Sequence, residues 1–269
     1  MEPYWTWNVD PAWEAFSSLV ESVFLAERAP HEYDRTRHRK AALLHGSIAI
    51  EAFTNQQMRK HLEAAGLSEP EILKRLRKPS LAEKLRKWPE EIFGKPAELA
   101  EDSLLDLIED HHELRHGIVH PKERDHSMYG KLEAVKLVSF LDSVALTLVC
   151  VLEAGLRQYP YWLLGWNFVG FNHDPAQPFL NNSAQFVHAL ARMGYVSRRN
   201  AFVADESESW QRRFLVGPES FRRLQAALRT YPHDIEPWFE LVPGLGSPPR
   251  FTRRWWDREF ILSTIPSGA

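Results

Sequence analysis

Cysteine is nearly absent: the 269-residue chain holds only Cys150, so no internal disulfide can form. Cys150 sits in an apolar run, where a core role is favoured over a nucleophilic one. Such sparse use of cysteine suits a reducing compartment. Long hydrophobic runs are also missing. The most apolar stretch, Leu137 to Leu152, is too short for a membrane span and carries Asp142. The opening residues, Met1-Glu2-Pro3-Tyr4-Trp5, lack the basic and apolar regions of a secretory signal. A cytoplasmic protein without membrane contact is therefore expected. No G-x-x-x-x-G-K-[ST] or G-x-G-x-x-G phosphate loop and no G-x-S-x-G elbow occurs, and Gly244-Leu245-Gly246 reads as a turn. Those absences argue against P-loop and dinucleotide binding and against an esterase-type triad. Neither internal repeats nor low-complexity tracts are present.

An excess of either charge is lacking too. The formal net charge is −3, so any nucleic-acid contact must use a local patch. The two halves nevertheless differ. Residues 1–155 carry 26 acidic and 20 basic side chains, whereas residues 156–269 carry 10 acidic and 13 basic, all 13 being Arg. Arg without Lys favours planar, bidentate contacts, to carboxylates as readily as to phosphates. Apolar residues at 44% and charged residues at 26% are enough for a folded core.

What is present is a succession of helix signals. Asp10-Pro11 is an N-cap followed by proline at the first helical position, and Phe16, Leu19, Val20, Val23 and Phe24 recur at helical spacing to about Arg28. A long second helix is predicted from Asp34 to about Ala65, with Leu43, Leu44, Ser47, Ile48, Glu51, Ala52, Asn55, Met58 and Leu62 as its stripe. Ser68-Glu69-Pro70 opens a short helix to Lys78. Pro79-Ser80 opens another, with a Ser80/Glu83 capping box and Pro89 as its stop. A helix from Glu98 to about Val119 follows, then a polar turn from Pro121 to Gly130. A last long helix from Lys131 to about Gln158 is apolar over much of its circumference and should lie deepest. These elements predict an all-α, up-and-down bundle over residues 1–158. Residues 159–269 read as an aromatic- and Arg-rich, mostly helical extension or small second domain, with helices near 183–193, 207–215 and 218–230. Its aromatics either cap the bundle or offer stacking platforms for single-stranded RNA.

The richest chemistry lies in Glu113-Leu114-Arg115-His116-Gly117-Ile118-Val119-His120-Pro121, with His112 just ahead. On an unbroken helix, Arg115 and His120 would point about 140° apart. Gly117 loosens the helix and Pro121 pushes His120 out of the α region, placing Arg115 on the last turn and His120 just past it. A permanently charged guanidinium beside a titratable imidazole suits phosphodiester chemistry without metal: Arg neutralises phosphate and His moves a proton on the 2′-hydroxyl or the leaving oxygen. Two polar residues interrupt the stripe of the second helix, Glu51 and Asn55. An acid there needs a partner: by default a structural bond to a neighbouring helix, or an orienting contact to the Arg or a His of the central stretch, and the two can hold together. The basic run Arg35-Thr36-Arg37-His38-Arg39-Lys40 is a solvated face or a weak RNA-backbone contact through Arg35, Arg37, Arg39 and Lys40.

The stretch Arg115-His116-Gly117-Ile118-Val119-His120, with Leu114 before it and Pro121 after it, resembles the Arg–polar–x3–His motif of HEPN domains (higher eukaryotes and prokaryotes nucleotide-binding). Ile48-Ala49-Ile50-Glu51-Ala52-Phe53-Thr54-Asn55 is similar to the Glu-bearing helix of many bacterial members. The resemblance covers roughly residues 10–158. It implies a HEPN-like helical bundle that dimerises so that two motifs line one cleft. It also implies a metal-independent endoribonuclease of the toxin or phage-defence class that needs no cofactor. Arg115 and His120 would be catalytic, and His116 takes a position usually held by Asn or Asp. RNA is the implied partner, beside an antitoxin or nucleotidyltransferase partner. Many HEPN proteins lack catalysis, so a non-catalytic binding module is the alternative. A rival motif overlaps: His112-Glu113-Leu114-Arg115-His116 spells H-E-x-x-H, the zinc-hydrolase pattern. Arg115 would set a cation beside the metal and no third ligand is well spaced, so a metal is not expected.

Overall fold

The computed structural model describes residues 10–99, 114, 117, 118, 127–164 and 215–230. These are mostly helical and contain no strand, as an all-α protein requires. The chain divides into two compact units, residues 1–157 and 158–269.

In the first unit, α1 spans Pro11–Arg28 and α2 spans Glu32–Ala64. Asp10 caps α1 as its sequence demands: the side chain accepts from the backbone N–H of Ala12 (3.0 Å) and Trp13 (3.2 Å). The two helices pack along each other, burying Phe16, Leu19 and Val20 together with Leu43, Ile50 and Phe53. The buried surface of α2 is not the expected stripe throughout. Ile48 is exposed and Leu44 only half-buried, while Gly46, Gln57 and Thr54 are inside.

The short α3 (Glu69–Arg77) opens with a capping box in which the Glu71 carboxylate accepts from the Ser68 N–H and hydroxyl. Next, α4 (Leu81–Phe93) begins at Ser80, whose hydroxyl accepts from the Glu83 N–H. Pro89 was expected to end α4; instead the helix runs through it to Phe93. One backbone bond is lost there, but the turn beyond is held by Trp88 and Ile92 in a cluster with Met58, Leu62, Ile72 and Leu76. The stop is Gly94, whose φ of 75° closes the helix in the left-handed region.

The expected long helix from Lys131 is two helices, α5 (Ser127–Ala134) and α6 (Leu137–Glu153), separated at Val135-Lys136. The polar turn predicted to reach Gly130 therefore gives way to helix at Ser127. No Gly or Pro breaks the chain at Val135-Lys136. The break is tertiary: Arg39 Nη1 donates to the carbonyls of Leu132 (3.1 Å), Glu133 (3.2 Å) and Val135 (2.9 Å), taking acceptors that a continuous helix would engage. As expected, α6 is the buried one, packing on α1, α2 and α4. Gly46 of α2 admits the Phe140 ring: a Cβ at residue 46 would lie 2.5 Å from its Cζ. Gly155, just past α6, likewise meets Phe93. No helix among the described residues is long and apolar enough to cross a membrane.

In the second unit, a 3-10 turn (Tyr161–Leu164) and α7 (Pro218–Thr230) form one small core. The last of the expected C-terminal helices is present; those expected near 183–193 and 207–215 fall outside the described residues, save the bend at Leu215. Tyr159 meets Phe221 edge to face at 5.3 Å, and its N–H donates to the Leu215 carbonyl. Burial raises the Tyr159 phenol above its ordinary range, opposed by a hydrogen bond with Ser220 and the charge of Arg223.

Candidate functional site

Glu51 and Asn55 stand one turn apart on α2, so both side chains leave the same face. The partner they find is Lys84, from the middle of α4. Its Nζ donates to Glu51 Oε1 at 2.8 Å and to Asn55 Oδ1 at 3.0 Å. It also stands 5.2 Å from the centre of the Trp88 ring. The Lys84 side chain is 2% exposed, whereas Glu51 keeps 41% of its side chain in solvent. A buried ammonium is costly unless opposed by charge and satisfied by acceptors. Here a carboxylate, an amide oxygen and an aromatic face supply what water would. Of the two roles open to Glu51, the structure shows the bond to a neighbouring helix. The carboxylate is an acceptor at the rim of the core, with one edge still reaching solvent.

Lys84 and Trp88 were not singled out from the sequence, although a signal existed. Leu81, Leu85 and Trp88 mark the inward side of α4, and Lys84 falls among them at helical spacing.

Of the central stretch, Leu114, Gly117 and Ile118 are described, and all three are helical and half-buried. Gly117 is thus accommodated within helical backbone. His112, Arg115, His116 and His120 lie outside the described residues, as does most of the helix expected from Glu98 to Val119, whose first two residues, Glu98 and Leu99, are not helical. Among the described residues, no three His, Cys, Asp or Glu side chains gather as a metal-binding set.

The four cations considered for RNA contact have local partners. Arg39 is spent on the α5–α6 break. Arg35 donates to the Ala29 carbonyl at 3.4 Å, and Arg37 stands 4.0 Å from Asp34. Lys40 lies over the Tyr129 ring at 4.6 Å, with its Nζ 3.5 Å from the phenol oxygen. Arg35 and Arg37 remain exposed with only long or solvent-screened bonds. Arg39 is committed to structure.

No family model matches the chain, and no match was found among curated proteins or solved structures.

Proposed function

We propose that this chain is a metal-independent endoribonuclease of HEPN type, of the toxin or phage-defence effector class, acting in the cytoplasm as a homodimer. The reading is carried by one observation: Leu114-Arg115-His116-Gly117-Ile118-Val119-His120-Pro121 in an all-α chain, with helical backbone at Leu114, Gly117 and Ile118. Arg115 neutralises the scissile phosphate, and His120 takes the 2′-hydroxyl proton or returns one to the leaving 5′-oxygen. His116 tunes the pair, and His112 and Glu51 support it. The 2′-oxygen attacks phosphorus, the P–O5′ bond breaks, and the 5′ fragment keeps a 2′,3′-cyclic phosphate. An antitoxin or nucleotidyltransferase partner would restrain the activity.

One observation favours a second reading. Glu51 and Asn55 are engaged by Lys84, which gives these two polar positions a structural use that a non-catalytic HEPN binding module would also have. Incubating purified protein with total tRNA separates the two. The ribonuclease degrades it and the Arg115→Ala variant does not; a binding module leaves it intact in both cases. A zinc hydrolase through His112-Glu113-x-x-His116 would instead show one tightly held Zn per chain by metal analysis.

A further inference from the structure

The outer face of α3 carries a second set of features that the bundle does not use. Its inner side is fixed, with Ile72 and Leu76 buried against Met58, Leu62 and Trp88. Both ends are clamped by guanidinium–carboxylate pairs. At the start, the Arg59 fork of α2 grips Glu69 at 2.7 and 3.0 Å. At the end, Arg75 Nη2 donates to both Glu91 oxygens, at 2.9 and 2.7 Å, tying α3 to α4. A nine-residue helix is marginal alone. This one is held rigid from three sides, so its outward side chains are presented at fixed spacing.

Those outward side chains are cationic. Lys74, Arg77 and Lys78 are all exposed, and none makes a hydrogen bond or short ion pair to a carboxylate among the described residues. Together with Pro70 and Leu73 they line an open groove of about 620 Å³. The contrast with the start of α2 is direct: there each cation has a local partner, and here, among the described residues, Lys78 has only the through-space charge of Glu83 and Lys74 and Arg77 have no such partner. Their charges are not scattered. Lys74 and Lys78 stand one helical turn apart, ~6 Å, and Arg77 lies to one side of them, so the three charges form a triangle on one face. Pro70, exposed, and Leu73, half-buried, stand beside them on the same open face.

We propose that this groove binds the backbone of single-stranded RNA, the three cations meeting phosphates and Leu73 and Pro70 taking sugar and base faces. The identity of the polymer rests on the ribonuclease reading; the charge pattern does not. Three cations spread over one exposed helix face suit a polymer with a negative charge at every repeat better than they suit a single carboxylate. Cations in the last turn also favour the helix dipole. That role alone would change stability and leave binding untouched.

The test uses full-length protein and a labelled 2′-O-methyl oligonucleotide, which has no 2′-hydroxyl to attack and so reports binding without cleavage. Anisotropy titrations across a salt series compare wild type, the neutral Lys74→Ala/Arg77→Ala/Lys78→Ala variant, and the charge-keeping Lys74→Arg/Arg77→Lys/Lys78→Arg variant. Loss of three phosphate contacts should weaken binding at least ~10-fold at low salt and lower the slope of log K against log salt by about 2. The charge-keeping variant should bind like wild type. If the triple variant does not fold, the single Arg77→Glu change at an exposed position carries the same test. Equal binding by neutral variant and wild type overturns the groove. Equal affinity for anionic phospholipid vesicles or polyglutamate, lost in the same variant, overturns the assignment to RNA. If unmodified RNA stays uncut while binding follows the cations, the groove stands and the ribonuclease reading fails.

Discussion

Lys84 Nζ lies 2.8 Å from Glu51 Oε1, a charge pair in which the cation is buried and the anion half in water. That asymmetry ranks its variants. Removing the anion by Glu51→Ala leaves the buried ammonium with only the Asn55 oxygen and the Trp88 face, and should cost about 3 kcal/mol. Removing the cation by Lys84→Met leaves a carboxylate that can turn to solvent, and should cost about 1–3 kcal/mol. The double variant should recover part of the Glu51→Ala loss. Urea unfolding of the three proteins checks the order. If Lys84→Met proves the more damaging, the pair is not what holds α4 to α2.

Arg39 should behave as a structural residue. Arg39→Ala exposes three carbonyl acceptors at the α5–α6 break and should destabilise by about 2–3 kcal/mol. Its RNA affinity should keep the wild-type salt slope, since no phosphate contact is lost. A slope reduced by about one unit would instead make Arg39 an RNA ligand.

Gly46 should resist enlargement. A methyl group at residue 46 would enter the Phe140 ring, and overpacking of this kind costs about 1–3 kcal/mol. That exceeds the roughly 1 kcal/mol that Ala gains over Gly in a helix. Gly46→Ala should therefore lower the melting temperature, and adding Phe140→Leu should restore part of it.

Acid should loosen α3 before it unfolds the bundle. The Arg59 hydrogen bond holds the Glu69 carboxyl below its ordinary value of 4.5, and bonds from Ser68 do the same for Glu71. Both folded values are depressed, so the stability they lend is complete above that ordinary value and is lost as pH falls through the lowered ones. Relative to intrinsic exchange at the same pH, hydrogen exchange at the amides of α3 should accelerate as pH falls below the ordinary carboxylate range, while those of α6 remain protected. Equal acceleration in both helices would mean that α3 has no separate acid response.

Local signals made much of the helical layout legible in advance. Asp10-Pro11, Ser80 with Glu83, and Pro218 start helices where their cap chemistry places them. What escaped was set by residues distant in sequence. Pro89 looks like a stop, yet burial of Trp88 and Ile92 carries α4 past it. Val135-Lys136 looks helical, yet a guanidinium from α2 takes the carbonyls there. Glu51 and Asn55 announced that a partner was needed, but polar spacing on one helix cannot say which helix supplies it. For the candidate site, the types and order of Arg115, His116 and His120 were readable, and their geometry lies outside the described residues.

The ends left on cut RNA decide whether Arg115 and His120 are catalytic. Wild-type, Arg115→Ala and His120→Ala proteins are incubated with end-labelled single-stranded RNA in EDTA, and the fragments are examined by mass spectrometry. The expected result is cleavage by the wild type alone, with a 2′,3′-cyclic phosphate on the 5′ fragment. Intact RNA with all three proteins, or cleavage that survives both substitutions, would contradict it.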